Sequence, residues 1–358
     1  MDAAAPASAL LAAKTAIIDR VMTEDYARHP ELAARYGERG RAFYQRDCGH
    51  HLDFLAEAVA HAAPALFSDY IAWASTMLPA HGVRVADLAE NLRLLQWAIR
   101  EQFPGADGAV MAAPIEAALA QLPQAPATPP SFIAGDQPHD ALAQQFLDLL
   151  LLRERRAAAD LVATAVTRDG LPLQRLYLDV FQRSQREIGR LWQLNRIGVA
   201  DEHFATAATM ALMNRFFPQF AANGAGNGPR AVCCCVEGDL HELGLRMVAD
   251  FLEMGGWDCD YLGANTPRAD LLRSLAADPP DLVALSATMT FHVGAVAELI
   301  RQLRAQPETA GLPVLVGGRP FLVEDTLWRK IGADAFAHDA DSVIDAATRL
   351  TARGAGHA

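Results

Sequence analysis

Three short motifs in the last third of the chain contain residue types that bind metal cofactors. They consist of Asp239, His241 and Gly244, of Ser286 and Thr288, and of Gly317 and Gly318. A neutral imidazole is a good metal ligand, and a carboxylate on its other ring nitrogen fixes the tautomer and raises the basicity of the ligand. Because Asp239 stands only two residues before it, His241 is the candidate metal ligand.

The order of these motifs resembles the signature D-x-H-x-x-G, S-x-T and G-G of proteins that bind cobalamin base-off, with a histidine on cobalt. The resemblance implies that His241 is the lower axial ligand of cobalt. It also implies that the displaced dimethylbenzimidazole tail occupies a long slot lined by small residues. A single histidine at the end of a strand is more often a capping or core residue, but three motifs in register favour a corrinoid site.

Short apolar runs alternate with amphipathic stretches through residues 230–353, the segment that carries all three motifs. We predict strands at 231–236, 258–262, 282–286, 313–316 and 334–337. We predict helices near 242–254, 267–277, 291–305, 322–331 and 341–352. Five such units favour a flavodoxin-like (Rossmann-like) parallel five-stranded sheet, with a ligand crevice at the carboxyl ends of strands one and three. The motifs of His241, Ser286 and Gly317 converge on that crevice.

Residues 139–222 have the apolar periodicity of a small helical bundle. We predict its helices at 139–167, 173–194 and 200–219. A bundle directly before a corrinoid-binding segment is typical of a cap that covers the upper face of cobalt. The glycine-rich residues 223–229 form a break between the bundle and the sheet.

Residues 1–120 also have helical periodicity, so the fold class is multidomain α plus α/β with an N-terminal all-α domain. We predict its helices near 8–22, 38–62, 66–80 and 86–102. The proline-rich residues 121–138 have the composition of an extended interdomain linker.

Trp192 is followed after nine residues by Glu202 and His203. This spacing resembles the cobalamin-dependent photoreceptor repressors of the CarH group. The resemblance implies that Trp192 covers the 5′-deoxyadenosyl group of coenzyme B12 and that Glu202 accepts hydrogen bonds from its ribose. The alternative is that Trp192 is a core residue and that Glu202 and His203 form a solvated first turn. That group has a histidine after the tryptophan, whereas Gln193 stands here, so His203 or no protein residue would ligate cobalt after photolysis.

The first domain lacks a basic recognition helix and resembles the N-terminal half of photocobilins, photoreceptors that hold biliverdin beside B12. A linear tetrapyrrole needs a carboxylate or histidine near its nitrogens, arginine or histidine for its propionates, and aromatic walls. The candidate bilin-binding residues are Arg46, Asp47, His50, His51, Phe54, Tyr70 and Trp73. The alternative is an ordinary helix with two exposed histidines and an aromatic core. Cys48 is a lone cysteine, and we expect no covalent bilin attachment there.

The overall composition excludes several functional classes. The 358 residues carry a net charge of −12, which argues against direct DNA binding as the main activity. We expect no membrane span and no secretory signal, and therefore a cytoplasmic protein.

Cys233, Cys234 and Cys235 lie in an apolar strand and are expected to be core residues. Four histidines without partners at ligand spacing are interpreted as surface or satisfied core residues: His61, His81, His292 and His338.

These observations favour a photoreceptor and signalling protein rather than an enzyme. Adenosylcobalamin would lie between cap and sheet, and light would break its cobalt–carbon bond and change self-association, with biliverdin as a second chromophore. A separate output protein is a further expected partner. One alternative is the corrinoid methyl carrier of a methyltransferase system, which needs an open upper cobalt face. Another is a B12-binding antirepressor that docks on a transcription factor.

Overall fold

The computed structural model describes residues 4–220 and 228–354. The chain divides into two compact units. The first comprises the residues up to Ala127 together with Val323–Lys330, and the second comprises the remaining residues from Thr128 onward. The predicted break at 223–229 lies outside the described residues except for Gly228 and Pro229. Within the described ranges, every helix is too short or too polar to span a bilayer.

The first unit is helical, as predicted. Its helices are Ala4–Ala12, Lys14–Arg28, Glu31–Ala60, Pro64–Ala80, Val85–Gln102 and Ala106–Gln121. The predicted helix at 8–22 is wrong as a single element, because the chain breaks at Ala13. The helix Ala106–Gln121 was not predicted and contains Pro114 in its interior, a residue that normally argues against a helix. Pro114 is buried with Met111 and Ile115, so apolar packing outweighs the lost backbone hydrogen bond.

The bundle that we call the cap forms residues 140–219 of the second unit. Its helices are Asp140–Leu151, Arg155–Thr167, Leu173–Arg175, Arg183–Gln193 and Val199–Phe216, with a π-helical segment at Leu176–Gln182 and a 3-10 turn at Phe217–Gln219. The prediction of one helix over 139–167 is wrong. Arg153 has φ 60°, and the N–H groups of Arg153 and Glu154 donate to the carbonyls of Leu150 and Leu149. This paired closure ends a helix, and it normally uses glycine.

The sheet that follows has the predicted parallel order β2-β1-β3-β4-β5. Its strands are β1 (Arg230–Cys235), β2 (Asp258–Gly263), β3 (Leu282–Ser286), β4 (Val314–Gly317) and β5 (Ala335–Phe336). Its helices are Leu243–Met254, Arg268–Ala277, Val293–Ala305, Arg319–Val323, Leu327–Lys330 and Ala340–Gly354. We call residues 228–322 and 331–354 the base domain, since Val323–Lys330 belongs to the first unit. Cys233, Cys234 and Cys235 are fully buried in β1, which agrees with their interpretation as core residues.

The cap and the base domain share one apolar core within the second unit. At its centre the hydroxyl of Tyr177, in the π-helical segment, donates to Oδ2 of Asp250 at 2.8 Å. Nε of Arg246 donates to Oδ1 of the same buried carboxylate at 2.7 Å. Asp250 and Arg246 belong to the helix that follows His241, so the cap is tied directly to the element behind the candidate metal ligand.

Part of the proline-rich segment is bound to the cap helix Arg183–Gln193. Oε2 of the buried Glu187 accepts the hydroxyl of Ser131 at 3.1 Å and the backbone N–H of Phe132 at 3.0 Å. Arg190 pairs with Glu187 and donates to the carbonyl of Pro129 at 3.3 Å. We call residues 129–133 the strap.

Candidate functional site

The loop after β1 holds an exposed histidine, His241, against a buried carboxylate, Asp239. The loop turns at Gly238, which has φ 89°, and the N–H of Asp239 donates to the carbonyl of Val236 at 3.0 Å. Nδ1 of His241 lies 2.8 Å from Oδ1 of Asp239, which also accepts the backbone N–H of His241 at 3.0 Å. The carboxylate of Asp239 is 0% exposed, whereas the side chain of His241 is 58% exposed.

The second motif contacts the first through the other oxygen of Asp239. The backbone N–H of Thr288 donates to Oδ2 of Asp239 at 2.7 Å. Burial alone would raise the pKa of Asp239, but the side chains of His241 and His292 and the backbone N–H groups of His241 and Thr288 together hold it well below its usual range. The carboxylate therefore stays ionised and binds the Nδ1 proton of His241. The lone pair of the neutral imidazole is then on Nε2, which is the arrangement of a metal ligand.

The glycine motifs provide space at the same edge of the sheet. Ser286, at the end of β3, pairs with Gly317, at the end of β4. Gly318 has φ 110°, and a Cβ there would overlap the backbone of Ala287. A Cβ at Gly244 would meet no atom within 4 Å, so this position faces open space. Glycine is thus required by the fold at Gly318, whereas at Gly244 it leaves room that the chain itself does not fill.

Large apolar side chains lie near the carboxyl ends of four strands, either within the strand or after it, and remain exposed. They are Leu240 after β1, Leu262 in β2, Phe291 after β3 and Leu322 after β4. Exposed apolar groups gathered at one edge mark a ligand surface. An outward imidazole, a buried carboxylate, open space at Gly244 and this apolar rim together fit a corrinoid macrocycle. Sequence reasoning missed the four rim residues, although each stands within six residues of a predicted strand end.

His292 was interpreted from the sequence as an isolated histidine, and the structure places it beside the metal-ligand pair. It is buried in the turn Thr290–His292 after β3, and its Nδ1 lies 3.7 Å from Oδ2 of Asp239. That separation exceeds hydrogen-bond length, and Nδ1 of His292 has no hydrogen-bond partner among the described residues. Asn265 was also missed, and its side chain accepts the N–H of Gly238 at 2.8 Å.

The predicted upper-face residues lie on two helices of the cap. Trp192 lies in the last turn of the helix Arg183–Gln193 and is 36% exposed, although it is a large aromatic residue. Glu202 lies in the first turn of Val199–Phe216, where it pairs with the exposed His203 and accepts the hydroxyl of Thr206 at 3.0 Å. The hydrogen bond to Asp239 raises the pKa of His241 above its usual value. The negative charge of Glu202, on the cap, adds to this increase. Gln193, in contrast, is buried.

Four of the predicted bilin-binding residues form one aromatic cluster in the first unit. Phe54 and Tyr70 stack with ring centroids 3.7 Å apart, and Trp73 lies 6.3 Å from Tyr70. Nδ1 of His51 lies 2.8 Å from the hydroxyl of Tyr70. Burial lowers the pKa of His51 to about 3, so its imidazole is neutral at physiological pH.

The other predicted bilin-binding residues lie nearer the surface, on the helix Glu31–Ala60. Arg46 and His50 are exposed, and Arg46 lies 3.4 Å from the carboxylate of Asp47. Burial raises the pKa of Asp47 despite the neighbouring Arg46. Cys48 is buried, and burial raises the pKa of its thiol to about 12, which makes it a poor nucleophile. Whether a bilin attaches to Cys48 stays a prediction. The assignment of all these residues to a bilin stays a prediction.

Comparison with known proteins gives matches to B12-binding domains. Residues 229–348 match the family model described as B12 binding domain, and residues 142–216 match a second model of the same description. Over 124 residues the chain is 37% identical to the HTH-type transcriptional repressor CarA of Myxococcus xanthus, covering 34% of this chain and 41% of that protein. It is 26% identical over 215 residues to a dimethylamine corrinoid protein of Methanosarcina barkeri, covering 60% and 95%.

The solved structures support the fold. The monomethylamine corrinoid protein of Methanosarcina barkeri superposes with a TM-score of 0.53 at 21% identity, covering 59% of this chain and 99% of that one. The corrinoid-protein arrangement of a helical cap and a Rossmann-like domain is therefore confirmed. The chain spans about two fifths to one half of the length of the first curated relatives. Both matched ranges lie in the second unit, apart from Val323–Lys330.

Proposed function

We propose that this B12-binding protein is a light sensor that holds adenosylcobalamin base-off, with His241 on the lower face of cobalt. The observation that carries the proposal is the position of Trp192 and Glu202 on the cap. A tryptophan that is 36% exposed and a carboxylate whose charge acts on His241 supply an aromatic wall and a hydrogen-bond acceptor. An organic upper ligand with a ribose needs both groups.

On the lower side, the residues of the base domain hold the ligand in its orientation. Asp239 binds the Nδ1 proton of His241, and Thr288 anchors the carboxylate through its backbone N–H. Ser286, Gly317 and Gly318 would border the slot for the nucleotide tail, and Gly244 would leave room for the macrocycle. When bound, adenosylcobalamin supplies a cobalt–carbon bond that visible light breaks.

On the upper side, the cap would respond to loss of the adenosyl group. Trp192 and Glu202 would lose the group that they contact, while Tyr177 and the shared core keep the cap attached to the base domain. The balance between two cap positions would shift, and with it the surface available for self-association or for an output protein. Similarity to the repressor CarA, a regulator by its name, supports a signalling role over about a third of the chain.

We further propose that the first unit binds biliverdin as a second chromophore. The stacked rings of Phe54, Tyr70 and Trp73 offer aromatic walls, and Arg46 and His50 are exposed for the propionates. Asp47 and His51 are the candidate partners of the pyrrole nitrogens. The stack of Phe54 on Tyr70 would have to open for a bilin to enter. A red-shifted absorption band after addition of biliverdin tests this part, and its absence would remove the second chromophore.

A second candidate function is that of a methyl-carrying corrinoid protein. It is supported by the match to the dimethylamine corrinoid protein, which covers 95% of that relative. A methyl carrier needs an open cobalt face and gains nothing from Trp192 or Glu202. The properties of the upper pocket therefore separate the two functions.

The test is an absorption spectrum and a gel-filtration profile of the protein with adenosylcobalamin, in darkness and after green light. The light sensor predicts a spectral change together with an altered elution volume. Trp192→Ala should weaken the preference for adenosylcobalamin over methylcobalamin, whereas Trp97→Ala, a tryptophan of equal 36% exposure in the first unit, should not. Stable spectra in both conditions, combined with methyl transfer from methylcobalamin, would favour the carrier.

A further inference from the structure

The carboxylate of Asp239 has one acceptor position left after its hydrogen bonds are counted. A carboxylate accepts about four hydrogen bonds. Oδ1 takes two, from the ring and the backbone of His241, and Oδ2 takes one, from the N–H of Thr288. The remaining position on Oδ2 lies in a fully buried environment, where an unused acceptor on a charged group is costly.

The polar atom that faces this position is Nδ1 of His292. It lies 3.7 Å from Oδ2 of Asp239, and it is itself buried without a hydrogen-bond partner within 3.5 Å among the described residues. Two unsatisfied buried groups thus face each other across a gap that a small side-chain shift would close. His292 lies 53 residues after Asp239 in the chain, so only the fold brings the two together.

The surroundings of His292 hold its ring at that place. On one side the ring of Phe291 meets it edge-on, with centroids 4.4 Å apart. On the other side lies Gly238, where a Cβ would come within 3.4 Å of Nε2 of His292. The backbone N–H of His292 donates to the carbonyl of Met289 at 3.0 Å and fixes the turn. The glycine before Asp239 therefore leaves the space that the imidazole occupies.

We propose that His292 is a positioning residue for cobalt ligation, which holds the second oxygen of Asp239 and thereby the ring of His241. The inference rests on the corrinoid-binding part of the proposed function and is independent of light sensing. Among the described residues, the N–H of Thr288 is the one hydrogen-bond donor within 3.5 Å that holds Oδ2. A second donor on the same oxygen locks the carboxylate plane, and the plane of the carboxylate sets the direction of Nε2 of His241.

The test uses cobinamide, a corrinoid without a nucleotide base, reduced to cobalt(II) and bound to the full chain. A protein nitrogen on cobalt then splits the electron paramagnetic resonance lines into triplets, and no other nitrogen base is present. His292→Phe keeps a ring of similar shape without polar atoms, and His292→Asn keeps a donor near the position of Nδ1. We expect triplets in the wild type and in His292→Asn. In His292→Phe we expect loss of most of the triplet signal and about 10-fold weaker cobinamide binding.

A matched control separates positioning from stability. Val296→Ala removes a buried side chain in the helix that follows His292 and should lower the melting temperature without changing the triplets. The proposal is wrong if His292→Phe keeps the full triplet signal and affinity, or if Val296→Ala loses them equally. Absence of triplets in the wild type would overturn it as well. The two proposals can fail separately. If the spectra do not respond to light but the triplet signals of the variants are as expected, the light sensor is refuted and the role of His292 is supported.

Discussion

The exposed ring of His241 is anchored by a 2.8 Å contact between its Nδ1 and the fully buried Oδ1 of Asp239. The same oxygen also accepts the backbone N–H of His241. Oδ1 of Asp239 therefore holds both the ring and the backbone of His241. Nε2 of His241 is thus already oriented before a corrinoid binds, so little conformational entropy of this side chain is lost on binding.

Asp239→Ala should weaken corrinoid binding by about 10-fold to 100-fold, because the ring of His241 loses both its orientation and its fixed tautomer. Equilibrium dialysis with cobinamide measures the effect. Asp260→Ala is the matched control, since this carboxylate in β2 is exposed and pairs with Arg230 at 2.8 Å. Equal losses of affinity in the two variants would contradict a specific role of Asp239.

Corrinoid affinity should fall as the pH falls through the pKa of His241. The hydrogen bond to Asp239 raises that pKa above its usual 6.5, so the doubly protonated ring that cannot bind cobalt persists to a higher pH than in a free histidine. In Asp239→Asn this stabilisation of the charged ring is lost, and the midpoint should move to lower pH. Dissociation constants for cobinamide between about pH 5 and about pH 9 give both midpoints. A midpoint that moves to higher pH would show that the assigned pair is wrong.

Gly318→Ala should destabilise the protein even without a ligand. The added Cβ would overlap the backbone of Ala287, and φ 110° is unfavourable for alanine, so a loss of about 1–3 kcal/mol is expected. Urea denaturation measures it. Gly244→Ala is the comparison, since its Cβ meets no atom within 4 Å, and the stability of the ligand-free protein should hold or rise slightly in this helix. If Gly318→Ala proves as stable as Gly244→Ala, the close approach of β3 and β4 is not required.

Tyr177→Phe should loosen the cap on the base domain. It removes the hydroxyl that donates to buried Asp250 and leaves Oδ2 of that carboxylate unsatisfied, at a cost of about 1–3 kcal/mol. Hydrogen exchange in Leu176–Gln182 and in Leu243–Met254 should increase together. Tyr36→Phe, which removes a 2.9 Å hydrogen bond to Asp87 in the first unit, should leave both segments unchanged. Increased exchange in the cap alone would argue against the connection.

The sheet and the lower site were predictable because their sequence patterns are local. Buried parallel strands are short apolar runs, and β1 and β3 end where the motifs of His241 and Ser286 begin. Pairing of neighbouring strand ends then brings distant motifs to one edge without further information. The contact of Thr288 with Asp239 follows from that geometry.

The missed features depend on tertiary packing or on unusual residue choices. The helix end at Leu151 uses Arg153 in the left-handed conformation, where sequence reasoning looks for glycine. Pro114 is tolerated inside a helix because buried neighbours stabilise it. The proximity of His292 to Asp239 depends on the turn after β3. No spacing within either motif predicts it.

The strap has a mechanical consequence. Glu187 and Arg190 hold Pro129, Ser131 and Phe132 on the helix whose last turn contains Trp192. Helices are stiff over such short distances, so any tilt at the tryptophan end displaces the anchored chain by a comparable amount. The position of residues 129–132 therefore follows the angle of a single helix.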